Sequence, residues 1–187
     1  MPAVLVAEVG SVRAMVVYES MFGCTEHVAE AVAEGLREGG LADGPPEEGV
    51  LVVEVGHAPP LDAVDTELLV VGGPTHAFGM SLAGTRADAA RQGPVVSTGP
   101  GIREWLGSGE LRTGTRVAAF DTHVRHPDLP GHASHAASRR LRRLGGSVVA
   151  HPHSFAVEGT VGPLSDGELG RAREWGRSLA ATVPVQR

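Results

Sequence analysis

A short loop of hydroxyl and glycine residues, 20–25, separates an apolar strand-like segment from a segment with helical spacing. It reads Ser-Met-Phe-Gly-Cys-Thr, and apolar residues then recur at three- and four-residue intervals from position 28 to position 36, as in an amphipathic helix. The first amides of a helix have no acceptor within it and lie at the positive end of its dipole, so they bind anions. Ser20 and Thr25 add hydroxyl donors, and Gly23 lets the backbone approach a ligand closely. The loop is therefore a candidate phosphate site.

The lack of basic residues near this loop, and its cysteine, limit the kinds of phosphate chemistry that it could perform. No Lys or Arg lies between Met15 and Leu36, so a bound phosphate would be held by amides and hydroxyls alone. A phosphatase nucleophile at Cys24 would need an arginine a few residues later, where position 30 is Glu, so we set that function aside. Cys24 is interpreted as a small packing residue near the phosphate. The alternative is an ordinary strand-to-helix turn in which Thr25 or Cys24 caps the helix.

The residues around this loop resemble the FMN-phosphate loop of flavodoxins. Every constrained position of that family's pattern is met, by Val16, Val17, Tyr18, Ser20, Gly23, Thr25, Ala29 and Val32. Such a pattern is far more specific than an isolated pair of glycines. The resemblance implies FMN as the cofactor, with its phosphate held by Ser20, Met21, Phe22, Gly23, Cys24 and Thr25.

Five strand-like segments alternate with helical segments, which predicts βαβ units and a parallel sheet. The predicted strands are residues 14–18, 50–55, 68–72, 116–120 and 148–155. The predicted helices are 25–38, a weak one at 61–65, a turn at 86–91, 102–106, 133–144, and 167–181 with a capping box at Ser165 and Glu168. We predict a three-layer α/β fold, a flavodoxin-like doubly wound five-stranded parallel sheet in the order 2-1-3-4-5. The domain spans 14–187, after an N-terminal extension at 1–13.

The resemblance also assigns flavin contacts to the loops after the third and fourth strands, which meet the first loop at one crevice in such a sheet. The residues concerned are Pro74, Thr75, His76, Ala77, Phe78 and Gly79, and then Phe120, Asp121, Thr122 and His123. Phe78 and His123 are the candidates for the two sides of the isoalloxazine, and Gly79 would let an adjacent peptide reorient. Flavodoxins favour Tyr or Trp beside the ring, whereas the chain's one Tyr and two Trp lie elsewhere, which argues against a low-potential role.

Histidines and aspartates near the fourth predicted strand also suit a metal ion. Two His-x-x-His pairs and two nearby acids are formed by His123, His126, His132, His135, Asp121 and Asp128. Such ligands bind zinc or iron, but Pro127 and Pro130 make the segment a loop, and the spacing alone is a loose pattern. We therefore expect solvated or cavity-lining histidines and no metal ligand.

The length, composition and charge of the chain indicate which broad class of protein it belongs to. The chain has 187 residues, 42% of them hydrophobic, a formal net charge of −6 and a single cysteine, as expected for one globular domain in a reducing compartment. No apolar run is long enough to span a bilayer and no signal peptide is recognisable, so a cytoplasmic protein without membrane partners is expected. The basic residues Arg139, Arg140, Arg142 and Arg143 are interpreted as the solvated face of a helix, and no nucleic-acid partner is expected.

The sequence is compatible with three functions. The favoured one is an FMN-binding flavodoxin-like redox protein that transfers electrons to or from partner proteins, with the cofactor supplying the chemistry. An FMN-dependent NAD(P)H:quinone-type reductase is the first alternative, since the long connection at 73–100 leaves room for a second substrate. A flavin-free binding or metal-carrying module on the same fold is the second. The electron donor and acceptor and the oligomeric state are not predicted.

Overall fold

The computed structural model describes residues 12–41, 49–125 and 130–184. The strands are β1 Val12–Tyr18, β2 Val50–Glu54, β3 Thr66–His76, β4 Gly79–Met80, β5 Arg116–Val124, β6 Ser147–Val148 and β7 His153–Val157. The α-helices are α1 Cys24–Leu36, α2 Ala83–Ala90, α3 Ile102–Trp105, α4 Ala133–Arg143 and α5 Glu168–Ala180. Shorter helical turns occupy Arg37–Leu41, Val55–His57 and Leu61–Ala63.

The strands form a sheet with a parallel centre. β2, β1, β3 and β5 lie side by side in that order, and these neighbours are parallel. At the far edge β6 and β7 both pair with β5 in parallel, and β4 forms a short antiparallel hairpin with β3. With β6 and β7 counted as one interrupted strand, the predicted order 2-1-3-4-5 is confirmed. The interruption contains Pro152, which has no amide hydrogen to donate to the ladder.

Helices cover both faces of the sheet, which confirms the three predicted layers. Successive residues of a strand point to opposite faces, so Val16 of β1 packs with α1 and α5, whereas Val17 packs with α3 and α4. One tryptophan is buried in each core, Trp175 of α5 on the first face and Trp105 of α3 on the second. The central strands are thus buried on both sides, as their continuous apolar sequences predict.

α1 and α5 approach each other backbone to backbone. At Gly35 of α1 a Cβ would lie 2.0 Å from the carbonyl oxygen of Arg173, and at Gly176 of α5 one would lie 2.2 Å from the carbonyl oxygen of Val32. Only glycine allows so close an approach. The contact between the two helices therefore fixes where α1 begins relative to the strands.

Some predicted helices have different bounds in the structure. The weak helix predicted at 61–65 is only the 3₁₀ turn Leu61–Ala63, and the turn predicted at 86–91 is part of the longer α2. No helix in the described ranges is both long enough and apolar enough to cross a membrane. Of the predicted N-terminal extension, residues 1–11 lie outside the described residues, and the next two belong to β1.

The capping box predicted at the start of α5 is wrong. Ser165 instead donates to Glu158, with 2.5 Å between the two oxygens, and Glu168 Oε2 accepts from the amide of Ala156 at 2.9 Å. The residue at the N-cap is Gly167, with φ at 84°. A capping box joins the N-cap residue to the residue three positions later. Because Gly167 is the N-cap, Ser165 and Glu168 do not occupy these two positions.

A side chain at Gly72 of β3 is predicted to destabilise the fold because the buried ring of Phe120 covers this position. A Cβ at Gly72 would lie 2.0 Å from the Phe120 ring, and this ring cannot move without disturbing Phe155 and Trp175, whose ring centres lie 6.1 Å from its own. Gly72→Ala should lower the free energy of unfolding by about 1–3 kcal/mol, as overpacking does, in a urea titration. Gly84→Ala, at an open position of α2, is the control, and an equal loss in both variants would contradict the account.

Candidate functional site

A cavity of about 330 Å³ opens at the carboxyl ends of β1, β3 and β5. This is the edge of a doubly wound sheet at which ligands bind, and the volume lies within the range of small-molecule clefts. The cavity brings together most of the residues predicted for the flavin, namely Ser20, Met21, Phe22, Cys24, Thr25, Pro74, Thr75, His76, Ala77, Thr122 and His123. All three predicted segments therefore line one cavity, although residues 74–76 and 121–123, predicted as loops, belong to the ends of β3 and β5.

The loop after β1 leaves the first turn of α1 uncapped. The N-cap is Gly23, at φ 93°, and among the described residues no side chain accepts from the first amides of the helix. The alternative in which Thr25 or Cys24 caps α1 is therefore wrong. Ser20 Oγ accepts from the amide of Gly23 at 3.1 Å, and the hydroxyl oxygens of Thr25 and Thr122 lie 2.7 Å apart. Ser20, Thr25 and Thr122 all line the cavity.

Cys24 has the surroundings of a packing residue. Burial raises the pKa of its thiol, and a hydrogen bond from the backbone of Leu164 only partly opposes this shift. A thiol with a raised pKa is a poor nucleophile because the reactive form is the thiolate. This agrees with the sequence argument against a phosphatase.

The second wall comes from the end of β3 and the turn into β4. Ala77, in that turn, has φ at 52°, an uncommon conformation for a residue other than glycine. Thr75 Oγ1 accepts from the amide of Ala133 at the start of α4, at 3.0 Å. Burial and, to a smaller extent, the charge of Arg86 lower the pKa of His76, so its ring is neutral near pH 7.

Some predicted residues do not line the cavity. These are Gly23, Phe78, Gly79, Phe120 and Asp121. Phe78 is 65% exposed, Phe120 belongs to the core under α1 and α5, and Asp121 is fully buried. His126 and Asp128 lie outside the described residues.

Other lining residues were not predicted, and most of them come from distant parts of the chain. They are Thr85, Asp88, Ala89, Gln92, Val124, Gly131, Val157 and Thr160. Thr85, Asp88 and Ala89 belong to α2, and Gln92 follows that helix. They are part of the long connection after β3, which folds over the cavity. The sequence of α2 consists mainly of small and polar residues. Such a sequence looks the same whether the helix lines a cavity or is exposed to solvent, so these lining residues could not be predicted.

A buried carboxylate, Glu19, holds this connection to the end of β1. Ser81 donates to Glu19 Oε1 with 2.5 Å between the oxygens, and the amide of Ile102 donates to Oε2 at 2.9 Å. Arg86 donates to Ser81 Oγ at 2.8 Å and also pairs with Glu104 at 3.2 Å. Burial raises the pKa of Glu19, whereas the two hydrogen bonds and Arg86 lower it to a smaller extent. The sequence analysis did not identify Glu19.

Ser97 attaches the far end of the connection to the loop at 20–25, the candidate phosphate site. Its hydroxyl accepts from the amide of Ser20 at 2.9 Å, and its own amide donates to the carbonyl of Ser20 at 2.8 Å. The amide of Val96 donates to the carbonyl of Met21 at 2.8 Å. The loop is therefore held in one conformation by the connection as well as by α1.

The architecture matches solved structures of flavodoxins. A flavodoxin from Streptococcus pneumoniae TIGR4 superposes with a TM-score of 0.66 at 21% identity, over 92% of this chain and 100% of the other. Flavodoxin 2 from Bacillus cereus gives 0.66 at 18% identity, over 91% and 99%. The chain has a flavodoxin-like fold. No protein-family model and no curated protein matches the sequence.

The flavodoxin-like fold also occurs as part of larger proteins. The flavodiiron core of Flv1 from Synechocystis sp. PCC6803 superposes with a TM-score of 0.60 at 14% identity, over 92% of this chain but only 36% of the other. At these identities the likeness establishes the fold, and the sequence-based prediction of that fold is confirmed.

Glu19 is predicted to make stability depend on pH. Its pKa is raised on folding, so above the unfolded value of about 4.3 the native state holds more protons and stability falls as pH rises. Glu19→Gln cannot titrate, and its free energy of unfolding should fall less between about pH 4 and 7. Urea titrations across this range measure the slope, with Glu30→Gln, an exposed position on α1, as the control. Parallel slopes for wild type and Glu19→Gln would refute the assignment.

Proposed function

We propose that the protein binds FMN in this cavity and transfers electrons to or from partner proteins. The observation that carries the proposal is the uncapped start of α1 beside a cavity that Ser20, Cys24, Thr25 and Thr122 line. Uncapped amides at the positive end of a helix dipole are a fitting site for a phosphate. The flavodoxin-like fold supports the choice of ligand.

The charges around the cavity fit a phosphate held without a cation. Among the described residues no arginine lines the cavity, and the one acidic residue that does, Asp88, pairs with Arg91 at 2.6 Å. The phosphate group would therefore rely on the amides of the first helical turn and on hydroxyl donors. Charge-assisted hydrogen bonds of this kind are stronger than neutral ones.

The rest of the lining fits a flat aromatic ring. Phe22, His76 and His123 offer ring faces or edges, and apolar side chains come from Met21 and Val124. Aromatic and aliphatic groups exclude water from such a ring and orient it. Bound FMN would supply one- and two-electron redox chemistry. The neutral ring of His76 adds a polar contact without a charge beside the flavin.

Exposed apolar side chains near the cavity suit transient contact with a redox partner. Phe78, Leu82, Val96 and Val161 are large hydrophobic residues that are exposed in the described part of the chain. Phe78 follows the cavity residue Ala77, and Val96 hydrogen-bonds to Met21 through its amide. Exposed apolar groups grouped near a site are typical of interaction surfaces.

One observation favours the reductase as a second candidate. A further cavity of about 490 Å³ adjoins the first, because both are lined by Met21, Phe22 and Gln92. Such a space would admit a second substrate beside the flavin. Anaerobic addition of NADPH to the FMN-loaded protein separates the two functions. Rapid bleaching of the flavin absorbance would favour the reductase, and a stable oxidised spectrum would favour the carrier.

Thr25→Val is predicted to weaken FMN binding by about 10- to 100-fold, the loss of one hydrogen bond to a charged group. The fold should remain intact because valine has a similar shape. Flavin fluorescence quenching measures the dissociation constant.

The matched control for this variant is Thr66→Val. Thr66 is a buried threonine whose hydroxyl donates to the carbonyl of Val12 at 2.8 Å, at the opposite end of the sheet. It should leave FMN affinity unchanged. If folded Thr25→Val binds FMN as wild type does, the loop is not the phosphate site.

Riboflavin is predicted to bind much more weakly than FMN. It has the same ring but no phosphate for the amides of α1. Parallel titrations of the purified protein with the two compounds test this. Equal affinities for the two compounds would show that the loop does not bind the phosphate. If neither compound binds, the flavin-free alternative is favoured.

A further inference from the structure

A carboxylate and two imidazoles converge where β5 ends and α4 begins. Asp121, His123 and His132 each offer a potential ligand atom, and these atoms lie within 4.8 Å of one another. Asp121 Oδ1 lies 3.8 Å from His123 Nδ1, and Asp121 Oδ2 lies 3.8 Å from His132 Nδ1. Asp121 is therefore flanked by a histidine on each side.

The polar atoms of this cluster are incompletely satisfied. Asp121 is fully buried, and its Oδ1, like His123 Nδ1, has no hydrogen-bond partner among the described residues. Asp121 Oδ2 accepts from the amide of Ser134 at 2.9 Å, so a role in capping α4 accounts for only one of its oxygens. Within the described ranges no arginine forms an ion pair with it. A buried carboxylate oxygen without a partner is costly.

We propose that Asp121, His123 and His132 bind a divalent transition-metal ion. Two histidines and one carboxylate form a donor set used for zinc and for ferrous iron. Ligands at zinc distances lie roughly 3.3 Å from one another in a tetrahedral site. Each imidazole now lies 3.8 Å from one oxygen of Asp121, and the three ligand atoms lie within 4.8 Å of one another, so side-chain rotations would bring them to a metal ion. The ion would occupy the gap between Asp121 Oδ1 and His123 Nδ1 and satisfy both atoms.

The surroundings of the cluster support a metal ion. The amide of Ser134 already orients the carboxylate, as groups just outside a metal site do. His135, exposed in the first turn of α4, has its ring centre 5.8 Å from that of His132. His123 also lines the neighbouring cavity, so the ion would fix the orientation of a cavity side chain. The inference does not depend on FMN binding.

Zinc titration of the full-length protein, stripped with a chelator and dialysed, tests the proposal. Calorimetry should give one equivalent of Zn²⁺, and Co²⁺ should give visible d–d absorption in the same stoichiometry. Asp121→Asn keeps an oxygen for the amide of Ser134, and His132 makes no capping hydrogen bond at α4, so Asp121→Asn and His132→Ala should fold. Each should weaken zinc binding at least tenfold, because even groups outside the first ligands alter affinity roughly 10- to 100-fold.

His151→Ala, at an exposed position between β6 and β7, is the matched control and should bind zinc as wild type does. Melting temperatures with and without Zn²⁺ provide a second readout, with stabilisation by the ion in wild type and the control alone. Zinc affinity that is equal in all four proteins, or a stoichiometry well below one, would overturn the proposal. FMN titration of the same proteins keeps this result separate from the flavin site.

Discussion

The contact between α1 and α5 determines where the N-terminal end of α1, the proposed phosphate site, lies. Gly35 and Gly176 bring the two backbones so close that no side chain fits between them, and the same helices pack onto the β1–β3 face of the core. α1 therefore has little freedom to slide along the sheet. Its first amides are held beside the carboxyl ends of β1, β3 and β5, where the cavity opens.

Two buried carboxylates lie at the carboxyl ends of central strands, Glu19 just after β1 and Asp121 within β5, and have different roles. Both oxygens of Glu19 accept hydrogen bonds, so it ties the long connection after β3 to the end of β1. Only one oxygen of Asp121 is satisfied, beside two imidazoles. A satisfied buried carboxylate stabilises the fold, whereas an unsatisfied one is a candidate ligand. The first therefore shapes the cavity, and the second supports the proposed metal site next to it.

The sequence predicts the fold well because strand and helix periodicities are local properties. The apolar runs of β1 and β3, and the spacing of Val28 and Val32 on α1, correctly indicate a parallel sheet with helices on both faces. Of the six residues that the loop pattern assigns to the phosphate, all but Gly23 line the cavity. The burial of Phe120, the exposure of Phe78 and the partners of Glu19 depend on contacts between residues distant in the chain. Those contacts leave no local pattern, so the structure was needed to find them.

The central claim is that the first turn of α1 holds the phosphate of FMN. Backbone amide chemical shifts recorded by NMR during titration with FMN test it most directly, because a hydrogen bond to a phosphate moves an amide proton strongly downfield. The account predicts the largest downfield shifts at Cys24, Thr25 and Glu26. Shifts confined to other parts of the chain, with these three amides unchanged, would contradict it.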